Sequence, residues 1–162
     1  MKQLLDDYKG DLKIVMKHLI VHPPVATIPA EAACAAHKQG KFWEMEDLIW
    51  VKGFRANRNL ARDNMDKLAA EAGLNMGQFN KDMDGECKQL VAKDQQDLRK
   101  VGGGGTPGFW INGRFLSGAR PIEHFKALID EELKKANERI GKGTRVEDYY
   151  NEWVLKKGKP SI

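Results

Sequence analysis

Cysteine is scarce in this chain: Cys34 and Cys87 are the only two among 162 residues. Two cysteines do not lay down a disulfide framework, and they fall short of a structural zinc site, which takes four ligands. The histidines, His18, His22, His37 and His124, lie scattered without metal-ligand spacing. No metal centre and no cofactor is therefore expected. Long apolar runs are missing as well; none reaches the ~18–20 residues that cross a bilayer. The N-terminus is polar and periodic, so no signal peptide is expected there. Nor is there a strong excess of one charge. The formal net charge is +4, and Lys and Arg are interspersed with Asp and Glu instead of clustering. That pattern argues against a nucleic-acid partner.

What is present is ordinary for a soluble globular domain: 41% apolar and 31% charged residues in a chain long enough to bury a real core. Met1–Tyr8 reads as the end of a helix stopped by Gly10. Leu12–Ile20, LKIVMKHLI, is apolar and rich in β-branched residues, which predicts a buried, parallel strand. His22-Pro23-Pro24 breaks the chain. A helix is then expected from Thr27 as N-cap, with Pro29 in its first turn and Glu31 completing a capping box.

Gly40 ends that helix. Phe42, Trp43, Met45, Leu48, Ile49 and Trp50 give a second one with a wide aromatic face, read as core packing rather than as a binding platform. Arg58–Ala72, Asn75–Met83 and Glu86–Val101 follow as helices, the last capped by Asp84. Pro121–Ala136 is a further helix with Ile122, Phe125, Leu128, Ile129 and Leu133 inward. The tail from Asn137 offers a short helix, Val146–Leu155, before a basic end expected to fray.

Between the last two long helices lies the most specific segment, Val101–Gly118, VGGGGTPGFWINGRFLSG. Asn112-Gly113 between apolar runs predicts a hairpin of Phe109–Ile111 with Arg114–Leu116, because a type I′ turn needs positive φ at both central residues. Alternation sends Trp110 to the opposite face from its neighbours. The glycine run is no phosphate-binding loop, since Thr-Pro and a strand follow it in place of Gly-Lys-Ser/Thr and a helix. A proline at the mouth of a strand leaves a backbone edge to which an extended peptide can add.

Gly105, Thr106, Pro107, Phe109, Ile111, Asn112 and Gly113 also match a G-T-P-x-F-x-I-N-G run. The segment resembles the cis-proline loop and following hairpin of the DsbA-like thiol–disulfide oxidoreductases, thioredoxin-fold proteins with a helical insertion. Gln39–Asp47, QGKFWEMED, is similar to a run in the first helices of that insertion. The resemblance implies an α/β, thioredoxin-like fold over residues 1–136, with a helical insertion at about 28–101 and a separate tail at 137–162. It also implies Gly105, Thr106 and Pro107 as a peptide-binding site. Thr106 would offer main-chain groups to an extended peptide or unfolded protein, and Pro107 would hold the geometry.

The family pattern has a C-x-x-C at the start of the first helix, and this sequence has none. The first strand and the cysteine pair are expected to be missing, as in an N-terminally truncated domain. Whether the chain is an enzyme is thereby left open. The expected reading is an oxidoreductase domain that is redox-inactive as it stands. The alternative is a non-catalytic module for peptide binding or homodimerisation, with dimerisation covering the exposed sheet edge. The resemblance places the full-length protein in the periplasm or cell envelope.

The two cysteines receive separate readings. Cys34, in an alanine-rich helix, reads as a small buried hydrophobe. Cys87 would stand at the third position of the helix capped by Asp84, where the dipole favours a thiolate, and is the candidate reactive thiol. Asp82, Asp84 and Glu86 oppose that charge, so an inert thiol weighs more. Nothing in the sequence argues for pairing the two. His37, near a helix end without a nucleophile at recognisable spacing, reads as a surface histidine.

Overall fold

The computed structural model describes residues 1–156. They form two compact units: Lys17–Arg99, and Met1–Met16 together with the chain from Lys100 onward.

The Lys17–Arg99 unit is helical. It comprises α2 (Pro23–Lys38), α3 (Phe42–Leu48) running on into a π-helical segment (Ile49–Ala56), α4 (Arg62–Glu71), α5 (Met76–Asp84) and most of α6 (Glu86–Lys100). Every residue of α2 from Pro29 to Ala36 is buried. A helix buried on all sides belongs at the centre of a bundle, and its alanines let neighbouring helices approach closely. Met45, Met65, Leu68, Phe79, Met83 and Cys87 pack around it. Methionine fills such irregular gaps because its unbranched chain adapts.

Local chemistry fixes the turns of this unit. Asn75 caps α5 by accepting from the Gln78 N–H at 2.9 Å. Lys41 Nζ donates to the carbonyls of Ala72 (2.7 Å) and Gly73 (3.0 Å), placing a cation at the C-terminal end of α4. Gly73 turns there with φ +71°, and a Cβ would meet that Nζ at 2.9 Å.

The other unit contains α1 (Lys2–Asp7), the hairpin β1 (Gly108–Ile111) and β2 (Arg114–Ser117), α7 (Ile122–Ile140) and α8 (Val146–Tyr149), which continues as a π-helical turn (Tyr150–Leu155). The hairpin is antiparallel, with Phe109 opposite Leu116 and Trp110 opposite Phe115. Asn112 (φ 46°) and Gly113 (φ 88°) supply its turn. Phe109, Ile111 and Leu116 pack against Leu4, Phe125 and Ile129, and the Phe109 and Phe125 rings meet edge to face at 4.8 Å. The Tyr8 hydroxyl donates to Asp130 Oδ1 at 2.6 Å. Burial and that bond push its pKa up to about 12.

Several sequence expectations are corrected. Leu12–Ile20 is not a strand: the segment has no regular structure, and Val15 and Met16 are 65% and 58% exposed. A strand needs a neighbour for its N–H and C=O groups, and the sheet among the described residues holds only the hairpin pair. The His18 N–H finds the Asp94 carboxylate instead, at 3.0 Å.

The second helix starts at Pro23, not after Thr27. His22 is its N-cap, and Thr27 sits within it, donating its hydroxyl to the Pro23 carbonyl at 2.8 Å. The two prolines fit this start because the first helical N–H groups have no intrahelical acceptor to lose. Asp84 is the last residue of α5 and not a cap of α6. α7 extends to Ile140 and buries Glu132, whose carboxylate is met by Lys135 (2.6 Å) and Arg114 (3.3 Å). The basic end of the tail, residues 157–162, lies outside the described residues.

Candidate peptide-facing site

Gly102 turns the chain out of α6 with φ +71°, Gly103 is buried, and Gly104 to Pro107 are exposed. The Thr106–Pro107 peptide bond is cis. The Pro107 carbonyl is engaged, accepting from the Gly118 N–H at 2.8 Å, which carries the hairpin ladder one step beyond Ser117. Thr106 differs: its N–H and C=O have no partner among the described residues. The loop therefore presents Thr106, exposed and with both main-chain groups free like those of Gly104 and Gly105, beside a proline locked to the hairpin.

Gly108 is a site residue that sequence reasoning missed. A Cβ there would lie 3.2 Å from Phe115 Cε2, 3.3 Å from the Gly105 carbonyl oxygen and 3.5 Å from Trp110 Cζ3. The Trp110 and Phe115 rings, 4.7 Å apart, close over this glycine next to the loop. A glycine at the start of an expected strand was the available signal, since glycine in a strand marks close approach; Gly108 stands opposite Ser117, two positions along from the Trp110–Phe115 pair. The Trp110 Nε1–H is buried without an acceptor among the described residues. At Gly105, by contrast, a Cβ would meet nothing within 4 Å, so packing does not require glycine there.

The cysteines lie in the helical unit and are not free. Cys34 of α2 and Cys87 of α6 form a disulfide with Cα atoms 5.8 Å apart. Cys87 as a reactive thiol is corrected accordingly; it is fully buried and covalently paired. Its neighbours Asp82 and Glu86 both pair with Lys38 Nζ, Asp82 at 2.9 Å. The Gln78 amide (2.7 Å) and the Lys38 ammonium hold the Asp82 carboxyl below the usual aspartate range.

His37 is exposed in the last turn of α2, with its ring 6.2 Å from Phe42. Burial lowers the pKa of His18, partly countered by Asp94. Among the described residues no cluster of His, Cys, Asp or Glu has metal-binding geometry, and no helix is long and apolar enough to cross a membrane.

Comparison with known proteins adds two findings. A family model for the DSBA-like thioredoxin domain matches residues 3–130. The chain is also similar to the Na(+)/H(+) antiporter NhaA of Herminiimonas arsenicoxydans, 30% identical over 126 residues, covering 76% of this chain and 19% of that protein. NhaA 3 of Salinispora tropica is 33% identical over 157 residues, covering 93% of this chain and 23% of the relative. NhaA 1 of Salinispora arenicola is 34% identical over 134 residues, covering 79% and 19%. The chain thus spans about a fifth of the length of the curated relatives it matches.

Proposed function

The chain belongs to the DSBA-like thioredoxin domain family, a thiol–disulfide oxidoreductase-like family with an α/β fold, and on that basis we propose that it binds extended peptides at Thr106 without turning them over. The observation that carries this reading is the exposed Thr106 with both main-chain groups unpaired beside Pro107. An extended peptide adds to such a position by backbone hydrogen bonds, and side-chain pockets then supply selectivity. Gly105 widens the approach, and the Trp110–Phe115 pair over Gly108 offers an apolar wall for a peptide side chain.

The only two cysteines are consumed in the Cys34–Cys87 disulfide, away from the loop in sequence and in a different unit. A buried disulfide supports an oxidising compartment, the periplasm or cell envelope. The similarity to antiporters favours a second layer to the reading: the domain works as one part of a longer membrane antiporter, handling peptide segments outside the cytosol.

The test is binding of a fluorescent unfolded peptide and of analogues N-methylated one position at a time. Strand addition predicts loss at the one register that faces Thr106 and tolerance on either side. Uniform tolerance would sink the reading. Mass measured against concentration tests whether the hairpin edge is covered by a second copy instead.

A further inference from the structure

The π-helical segment Ile49–Ala56 has two unlike sides. Ile49 and Gly53 turn inward and are buried. A Cβ on Gly53 would meet Leu60 Cδ2 at 3.2 Å and Met65 Cε at 3.5 Å, so the segment lies close against α4 and the loop before it. The outer side carries Trp50, Val51 and Phe54, which are 49%, 52% and 39% exposed. An ordinary helical period places Trp50 in the core; the structure puts it in solvent.

The Trp50 and Phe54 rings contact edge to face at 5.4 Å. Arg58, at φ 48°, lays its guanidinium 5.6 Å from the centre of the Phe54 ring. Positive φ at a non-glycine residue is uncommon, and here it accompanies a charge placed on the aromatic pair. Lys52 and Arg55 add two further cations on exposed positions. Lys52 is paired with Glu71. No carboxylate occurs from Ile49 to Ala61.

We infer that this face docks on an anionic lipid surface. An exposed ridge of tryptophan, phenylalanine and valine with Arg58 laid against it matches what the headgroup region takes up: apolar rings below, cations at the phosphates. Charge complementarity chooses the occupant, because Arg55 and Arg58 are exposed, Arg58 lies on the Phe54 ring, and no carboxylate occurs from Ile49 to Ala61. A protein partner would be met by a polar rim of mixed donors and acceptors. Here the side chains other than Asn57 and Asn59 are apolar or cationic. Asn57 Nδ2 donates to the Lys52 carbonyl at 3.3 Å, and Asn59 Oδ1 accepts from the Ala61 N–H at 3.0 Å. The site belongs to the helical unit and stands independently of the peptide reading at Thr106.

The experiment is co-sedimentation of the purified chain with vesicles of phosphatidylcholine, alone or mixed with phosphatidylglycerol. Binding to the mixed vesicles only is expected, with loss in the Trp50→Ala, Phe54→Ala double variant. Arg58→Ala should weaken partition about fivefold, from roughly 1 kcal/mol for one basic residue at an anionic surface. Circular dichroism and the urea midpoint of each variant establish that these exposed substitutions leave the fold intact. Absence of binding to anionic vesicles overturns the inference. So does binding that the double variant keeps, which would trace to net charge alone. Saturable binding of an acidic peptide at this face, with vesicles ignored, overturns it in favour of a protein partner.

Discussion

Cys34 and Cys87, 53 residues apart, are joined across the core of the helical unit, linking the middle of α2 to the first turn of α6. Closing a loop of that length removes chain entropy from the unfolded state, worth about 4 kcal/mol at 25 °C in the loop-entropy account. A Cys34→Ala, Cys87→Ala variant, or the chain kept under reductant, should lose stability on that order. Urea unfolding with and without reductant measures it. Equal midpoints would mean that the helical core holds without the link.

The pH dependence of the same unit has a definite sign. Asp82 is buried, and its carboxyl is held below the ordinary range by the Gln78 amide first and the Lys38 ammonium second. A depressed folded-state pKa stabilises the fold above the unfolded value of about 4, and the gain fades as pH falls through the folded value. Asp82→Asn should therefore be less stable than the parent at neutral pH, with the gap narrowing in acid below about pH 4. Urea midpoints from about pH 2 to pH 7, a range bracketing that value, decide the matter. A gap that stays constant would assign the loss to packing rather than charge.

Gly108 offers a third test. Its Cβ would sit 3.2 Å from Phe115 and 3.3 Å from the Gly105 carbonyl oxygen, closer than ordinary contact, and the second of these is backbone that cannot yield easily. Gly108→Ala should destabilise the chain by about 1–3 kcal/mol through overpacking. Peptide affinity should fall with it, because Pro107 directly precedes the shifted strand. Gly105→Ala, in open space, serves as the comparison and should leave stability within about 0.5 kcal/mol.

What the sequence disclosed follows from where the determinants are local. The hairpin was legible because Asn112-Gly113 has few backbone options, and the end of α4 because Gly73 turns at positive φ. The strand expected over Leu12–Ile20 failed because an apolar run states a preference for burial and not the presence of a pairing neighbour. The Cys34–Cys87 link was invisible for a related reason: its two halves, far apart in sequence, meet only through the tertiary packing of the helical unit.

Trp50 escapes the core because its segment departs from the period of 3.6 residues. A π-helical segment bonds i to i+5 and turns more widely, which moves residues off the face the shorter period assigns. At the candidate site, Thr106 and Pro107 are legible from a motif, whereas the crowding at Gly108 depends on two rings brought over it by strand pairing.

The last prediction concerns chemistry. Thiol–disulfide exchange needs a thiolate to approach a disulfide sulfur, and both sulfurs here lie in residues no more than 7% exposed. The native chain should accordingly show no thiol reactive to an aromatic disulfide reagent. It should oxidise or isomerise a test peptide no faster than buffer does. Unfolding in reductant should release two titratable thiols. Turnover by the native chain that vanishes in Cys87→Ala would overturn this reading and make the disulfide itself the reacting group.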